Sequence, residues 1–341
     1  MKAMLLTELN DLRTHPTPLR LLDVPEPIPG PGQVLIRVAA CGVCHTELDE
    51  IEGRTPPPTL PVILGHQAVG FIEALGPEVT ARKIGERVGV AWIFSACGEC
   101  TYCQSGQENL CPEFRATGRD ANGGYAEYMT APADFVHLIP NALSDSEAAP
   151  LLCAGAIGYR SLRLSDLHDG QTLGLMGFGG SNHLVLKMAL YKYPHMQVFV
   201  FSRNSQEREF ARSLGAAWAG GIDEVPPEAL DAVIDTTPVW GPDLEALKRL
   251  KPGGRLVINA IRKQDDDRTV LSSLDYPSQL WMEKEIKSVA NVTRTDVRAF
   301  LALAAEAGIR PEVQEYDLKD ANQALLALKQ GQIRGAKVLR A

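Results

Sequence analysis

The sequence predicts an α/β protein in two parts, one mainly β and one a doubly wound parallel sheet. Three observations predict it. Up to about residue 153, short apolar runs are separated by Gly, Pro and Asn, which is the punctuation of antiparallel strands. Beyond about residue 154, short apolar runs alternate with helical stretches, which is the pattern of strands laid parallel through crossover helices. Between the first such run and its helix lies a Gly-rich turn.

Taken in order, the first clear strand covers residues 34–40, behind the Pro-Gly punctuation at 29–32. Apolar runs at 69–75 and 87–91 follow, and together these suggest an antiparallel, barrel-like arrangement. In the second part, residues 172–176 form a strand, and a helix runs to about Lys192. Residues 197–201 form the next strand, 205–214 a helix, 232–234 a strand, 244–250 a helix and 255–258 a strand. Residues 286–291 are the candidate last strand of this sheet. The tail from Thr295 holds two helical segments and a closing strand at 336–340, and KQDDDR at 263–268 reads as a solvated loop. No internal repeat or low-complexity segment is present.

With 341 residues, 45% hydrophobic and 22% charged, the chain is long enough for about two domains with a sizeable core. A net charge of −8 and the absence of Lys/Arg-rich runs argue against nucleic acid or an anionic membrane as partner. The opening MKAMLLTELN turns polar too quickly for a secretory signal, and no stretch approaches the roughly 18 apolar residues that span a bilayer. The expected location is the cytoplasm. Seven cysteines at uneven spacing in such a chain point to metal before disulfides.

Cys97, Cys100, Cys103 and Cys111 form C-x2-C-x2-C-x7-C. Thiolates so close in sequence converge across tight turns, and four of them complete a closed shell whose usual occupant is structural zinc; an iron–sulfur cluster is the alternative. Cys41, Cys44, His66 and Cys153 are candidates for a second, open site, and none is decisive alone.

The segments CGVCHTE, GHQAVG, the four-cysteine loop, GGYAEY, LLCAG and IRGAKVL occur in the order and near the spacing of one family. Over essentially its whole length the sequence resembles the zinc-containing medium-chain alcohol dehydrogenases, most of all the bacterial and yeast-type enzymes and the cinnamyl-alcohol-dehydrogenase branch. The resemblance implies a catalytic zinc on Cys44, His66 and Cys153, with Cys41 left as a packing residue, and hence two zinc ions per chain. It implies that Thr46 hydrogen-bonds the substrate oxygen, that Glu47 orients His66, and that Asp49 stands where several relatives carry a relay His. Gln67 departs from the family, which carries Glu after the ligand His; the change removes a negative charge beside the metal. Trp92 matches a position that walls the substrate pocket, where an indole suits an allylic, aryl or medium aliphatic alcohol.

The turn after residues 172–176 supplies the dinucleotide-binding candidates Gly177, Gly179, Gly180, Ser181 and Asn182. Gly177 and Gly179 match the first two positions of the fingerprint, and Asn182 replaces the third Gly, which packs helix on sheet. At the end of the second strand of this part, Ser202 and Arg203 stand where an NAD enzyme carries Asp or Glu. With no carboxylate to repel a 2′-phosphate and Ser202 and Arg203 able to bind one, the pattern favours NADP, with NAD the alternative. The resemblance adds Arg334 and His45 as contacts to the cofactor's phosphates.

The family architecture that follows is a mainly β, GroES-like catalytic domain at 1–153 and 292–341 around a Rossmann-type coenzyme domain at 154–291, with the active site between them. The implied activity is hydride transfer between a primary alcohol or its aldehyde and NAD(P), in a homo-oligomer, tetramer or dimer. Three rivals remain: a zinc-free quinone or enone reductase on the same fold, a polyol dehydrogenase, which would need a different ligand set or pocket, and a catalytically silent nucleotide-binding relative, for which Gln67 and Asn182 are the only support.

Overall fold

The computed structural model describes residues 1–331 and 335–341. The chain divides into two compact units, Met1–Ala156 with Val292–Ala341, and Ile157–Asn291.

In the first unit the strand Gln33–Val43 is the spine. It pairs antiparallel with Ala68–Leu75, with Tyr128–Pro132 and with Ala336–Arg340. It is longer than the 34–40 expected because the apolar run continues through Cys41, Gly42 and Val43, delivering the chain to Cys44 at the sheet's end. The closing strand Ala336–Arg340 lies between this spine and a parallel partner, Val313–Asp317, so the tail completes the first unit's sheet. A smaller sheet sets Lys2–Leu6 between Leu19–Asp23 and Val62–Ile63. Met4, Leu6, Ile36, Leu48, Ile51 and Leu64, each at most 1–2% exposed, share one core with Leu325 from the tail helix Ala321–Lys329. Burial of each such side chain stabilises the fold by about 1.5–3 kcal/mol.

The second unit is a six-stranded sheet whose neighbours are all parallel, in the order Trp218–Gly220, Gln197–Phe201, Thr172–Met176, Leu230–Asp235, Leu250–Ile258, Glu285–Ser288. Every residue of Thr172–Met176 is buried, as a strand covered on both faces requires. The chain builds outward on one side of this strand and then returns to the other. A topological switch point therefore lies at its carboxyl end, where such sheets bind ligands.

Four expectations are corrected here. The helix expected at 244–250 is Gly241–Arg249, with Pro242 in its first turn, and the strand expected at 255–258 begins at Leu250. Leu230 pairs with Leu250 and Ala232 with Arg255, so the Pro252-Gly253-Gly254 stretch is absorbed as a bulge in the ladder. The strand expected at 286–291 is Glu285–Ser288, an exposed edge. KQDDDR is not simply a solvated loop: the Lys263 side chain is 6% exposed, its Nζ 2.5 Å from Asp235 and 2.7 Å from Asp243. Asp267 accepts from the backbone N–H groups of Trp240 and Gly241, at the start of the helix Gly241–Arg249. Among the described residues no helix is long and apolar enough to cross a membrane.

Candidate metal centres and nucleotide groove

The spine strand ends at Cys44, which caps the helix His45–Ile51. Its Sγ accepts from the Thr46 N–H, and its own N–H donates to Glu47 Oε2 at 2.9 Å, closing a capping box. Glu47 is fully buried, and its Oε1 lies 2.6 Å from Nδ1 of His66. His66 is brought there by Gly65, at φ +98°, where any Cβ would sit 2.4 Å from the Tyr125 ring and 2.9 Å from Cys41 Sγ. Nε2 of His66 is 3.6 Å from Cys44 Sγ. Cys153 arrives from the widened helical turn Leu151–Gly155. The ligand atoms of Cys44, His66 and Cys153 all lie within 4.8 Å of one another. A hydrogen bond with Cys153, then burial and the Glu47 charge, push the Cys44 thiol well above its ordinary range. Cys41, by contrast, lies in the core.

The residues around this set are placed as follows. Thr46 and the exposed His45 occupy the first turn of the helix. Asp49 is ion-paired with Arg54, so its carboxylate does not stand free as a proton relay. Gln67 is buried, its side chain lying over Gly42 and its Nε2 without a hydrogen-bond partner among the described residues. Trp92 packs in a satellite cluster with Ile93, Ala116 and Phe135, 5.2 Å from the Phe114 ring. Sequence reasoning passed over Glu50, on the same helix. Its carboxyl is 1% exposed with no hydrogen-bond partner among the described residues, and burial and the Glu47 charge hold it well above the usual range. Its position in a charged stretch, HTELDEIE, concealed that burial.

The Sγ atoms of Cys97, Cys100, Cys103 and Cys111 also fall within 4.8 Å of one another, and none of the four is in a disulfide. Backbone N–H groups of Cys100 and Glu99 lower the Cys97 thiol to about 7, favouring its thiolate. Burial raises Cys103 to about 12, which a cation among the four sulfurs would reverse.

In the second unit, a groove of about 1100 Å³ is lined by Gly177, Ser202, Arg203, Glu207, Arg208 and Thr237 among others. Gly177 takes φ +75°, and a Cβ at Gly179 or Gly180 would meet nothing within 4 Å, leaving open space over the turn. Ser181 precedes the helix Asn182–Lys192 as its cap residue. Asn182 is fully buried, and its Nδ2 donates to the carbonyls of Met176 and Gly177 and to Thr236 Oγ1 at 2.8–3.1 Å. The absent third Gly is thus replaced by an amide that ties the turn to two strand ends. The expectation of a site free of carboxylate is overturned: Ser202 Oγ donates to Glu207 Oε2 at 2.5 Å, so its hydroxyl is already engaged. Arg203 is exposed, and Arg208 donates to the carbonyls of Ser202 and Arg203. Arg334 lies outside the described residues.

Comparison with known proteins places these features. Residues 30–141 match the family model described as alcohol dehydrogenase GroES-like domain. The chain is 45% identical over 327 residues to a probable alcohol dehydrogenase, AdhA, of Mycobacterium tuberculosis, covering 94% of this chain and 92% of that one. It is 35% identical over 335 residues to an alcohol dehydrogenase of Geobacillus stearothermophilus, covering 94% and 95%. Its fold is similar to that of a cinnamyl alcohol dehydrogenase, SbCAD4, of Sorghum bicolor, with a TM-score of 0.84, 26% identity and coverage of 99% and 97%.

Proposed function

The chain belongs to the medium-chain alcohol dehydrogenase family and is an alcohol dehydrogenase, and from that premise we propose that it works with zinc and a nicotinamide dinucleotide on primary alcohols and their aldehydes. The observation that carries this reading is the convergence of Cys44, His66 and Cys153 within 4.8 Å, with Glu47 behind the imidazole. The donor set fits the metal: two soft thiols and one imidazole, all within 4.8 Å of one another, suit zinc. Cys44, His66 and Cys153 would hold the zinc, which would supply Lewis acidity to the substrate oxygen.

The chain's own residues do the rest. Glu47 fixes the imidazole ring so that Nε2 faces the thiols. Thr46, two residues beyond Cys44, offers a hydroxyl to the substrate oxygen and starts its proton on the way out. With Asp49 paired to Arg54, Thr46 carries that role without a carboxylate relay at Asp49. The four-cysteine set fits a second, structural zinc with no open position.

The groove of the second unit fits the dinucleotide. Gly179 and Gly180 leave room for a pyrophosphate beside the start of the helix Asn182–Lys192, whose N-terminal dipole favours it. The nicotinamide supplies hydride transfer. Arg203 and Arg208 beside Ser202 at the end of the strand Gln197–Phe201 favour NADP, with NAD also accepted.

Elemental analysis of the purified protein tests the reading, with two zinc ions per chain expected. Cys44→Ser is expected to remove one zinc and turnover with melting little changed. Cys103→Ser is expected to remove the other zinc and lower the melting temperature. A wild type holding no zinc, yet reducing quinones or enones, sinks the proposal in favour of the zinc-free reductase.

A further inference from the structure

Away from both metal sets, the first unit holds a cavity of about 250 Å³ lined by Arg82, His137, Leu138, Pro140, Arg298 and Leu301 among others. Its polar wall is cationic. The Arg82 guanidinium is fixed in place, donating to the carbonyls of Ala133 and Val136 at 3.3 and 2.8 Å. Arg298 comes from the helix Arg294–Glu306, with Leu301 and Ala302 one turn further along the same face. Among the described residues its guanidinium makes no hydrogen bond or ion pair. Arg294, one turn earlier, is already committed to Glu108 and stacked over Phe135.

The same cavity is lined by His137, on the strand Val136–Leu138. It is 3% exposed, and its Nδ1 has no hydrogen-bond partner among the described residues. A buried polar atom without a partner costs stability unless something fills the place beside it. The surroundings say what that is. Burial and the positive charges of Arg298, Arg82 and Arg294 press the imidazole down to about 3, so it is neutral and leaves no room for a cation. In a chain of net charge −8, two arginines without an acidic partner on one cavity make it a place suited to an anion.

We propose that this cavity is a binding site for a phosphate group, separate from the dinucleotide groove, with Arg82 and Arg298 pairing its oxygens and His137 Nδ1 hydrogen-bonding one of them. A phosphate group suits the two guanidinium donors because it presents several oxygens in different directions. In its monobasic form it also carries an O–H for a neutral imidazole nitrogen. The cavity has apolar wall left over at Leu138, Pro140 and Leu301, so the phosphate can be free or the end of a small phosphorylated molecule.

The test is calorimetric titration of inorganic phosphate, and separately of glycerol phosphate, into zinc-loaded enzyme saturated with NADPH, so that the dinucleotide groove is already filled. One saturable site per chain is expected in the wild type. Binding is expected to weaken about 10- to 100-fold in Arg298→Ala, the loss of one charge-assisted contact; Arg298 is exposed, so this variant is expected to fold. His-selective 15N spectra, assigned with His137→Gln, are expected to show the His137 ring moving with phosphate in the wild type and not in Arg298→Ala. Tighter binding of glycerol phosphate identifies the phosphate as part of a larger ligand, and equal binding identifies the free ion. Absence of saturable binding in the NADPH-saturated wild type, or binding untouched by Arg298→Ala, overturns the proposal.

Discussion

Glu47 Oε1 lies 2.6 Å from Nδ1 of His66, while Glu47 Oε2 accepts from the backbone N–H of Cys44. One buried carboxylate thus fixes the orientation of two members of the three-residue metal set, one through its ring and one through its backbone.

Glu47→Gln keeps the shape and loses the charge. The amide can serve Cys44 or His66, but no longer both with a full negative charge. Zinc affinity at the open site is expected to fall about 10- to 100-fold, the usual effect of removing such a carboxylate behind a ligand His. Competition with a chromophoric chelator checks it, and the zinc of the four-cysteine set serves as an internal control. Equal zinc retention in wild type and variant would remove Glu47 from the metal site.

Asn182 offers a sharper case, because it stands where the family fingerprint has Gly. Its Nδ2 joins Met176 O, Gly177 O and Thr236 Oγ1 in a fully buried position. Asn182→Gly therefore restores the fingerprint residue and is nevertheless expected to destabilise. The two N–H bonds of the amide are shared among three acceptors, and losing two hydrogen bonds at about 0.5–1.5 kcal/mol each amounts to about 1–3 kcal/mol. Thermal unfolding and NADPH affinity are the measurements, and both are expected to drop. A variant as stable as the wild type would mean that the amide is tolerated and not used.

The Lys263 cluster predicts a pH dependence. Burial, then the neighbouring Asp235 charge, raise Asp243 from 3.8 to about 7, against the opposing pull of Lys263. The folded pKa is above the unfolded one, so between these values the folded chain holds a proton that the unfolded chain has released. That contribution to stability is complete below about 3.8 and is lost as pH rises through 7. Asp243→Asn removes the titration while leaving an acceptor for Lys263. Its melting temperature relative to the wild type is expected to rise from pH 5 to about pH 7 and then to level off. A difference that stays constant over that range contradicts the assignment.

These residues also mark how far the sequence can be read. The strands Thr172–Met176, Gln197–Phe201 and Ala336–Arg340 were expected with the bounds observed, because short apolar runs between turn residues leave little freedom of register. The four-cysteine loop was legible from spacing, and the Cys44, His66 and Cys153 set only through the family resemblance. Burial of charge was not legible. Lys263 sits in a run that looks solvated, and only the fold brings Asp235 and Asp243 to it. Glu50 and Glu207 sit among charged helical neighbours, and nothing local distinguishes a carboxylate turned inward from one turned to water.

Glu207 carries the last prediction. Reading the end of the strand Gln197–Phe201 for an acidic residue found Ser202 and Arg203, and missed the carboxylate that returns from the next helix to accept from Ser202 Oγ at 2.5 Å. A 2′-phosphate placed here gains the charge of Arg203 and Arg208 but meets Glu207 and a hydroxyl already donated. A ribose 2′-hydroxyl can donate to that same carboxylate. Glu207 therefore pulls toward NAD while the arginines pull toward NADP. Glu207→Gln is expected to raise the ratio of kcat/KM for NADPH to that for NADH about tenfold, the low end for a charge-assisted interaction. Replacing Ser202 by Asp together with Arg203 by Ala is expected to invert the ratio. The two changes act on one phosphate, so their separate effects are not expected to add. Steady-state kinetics with both cofactors on the wild type and these variants decide the matter. A wild type that already prefers NADH strongly refutes the NADP preference, and a ratio indifferent to Glu207→Gln shows that the carboxylate does not reach the ribose.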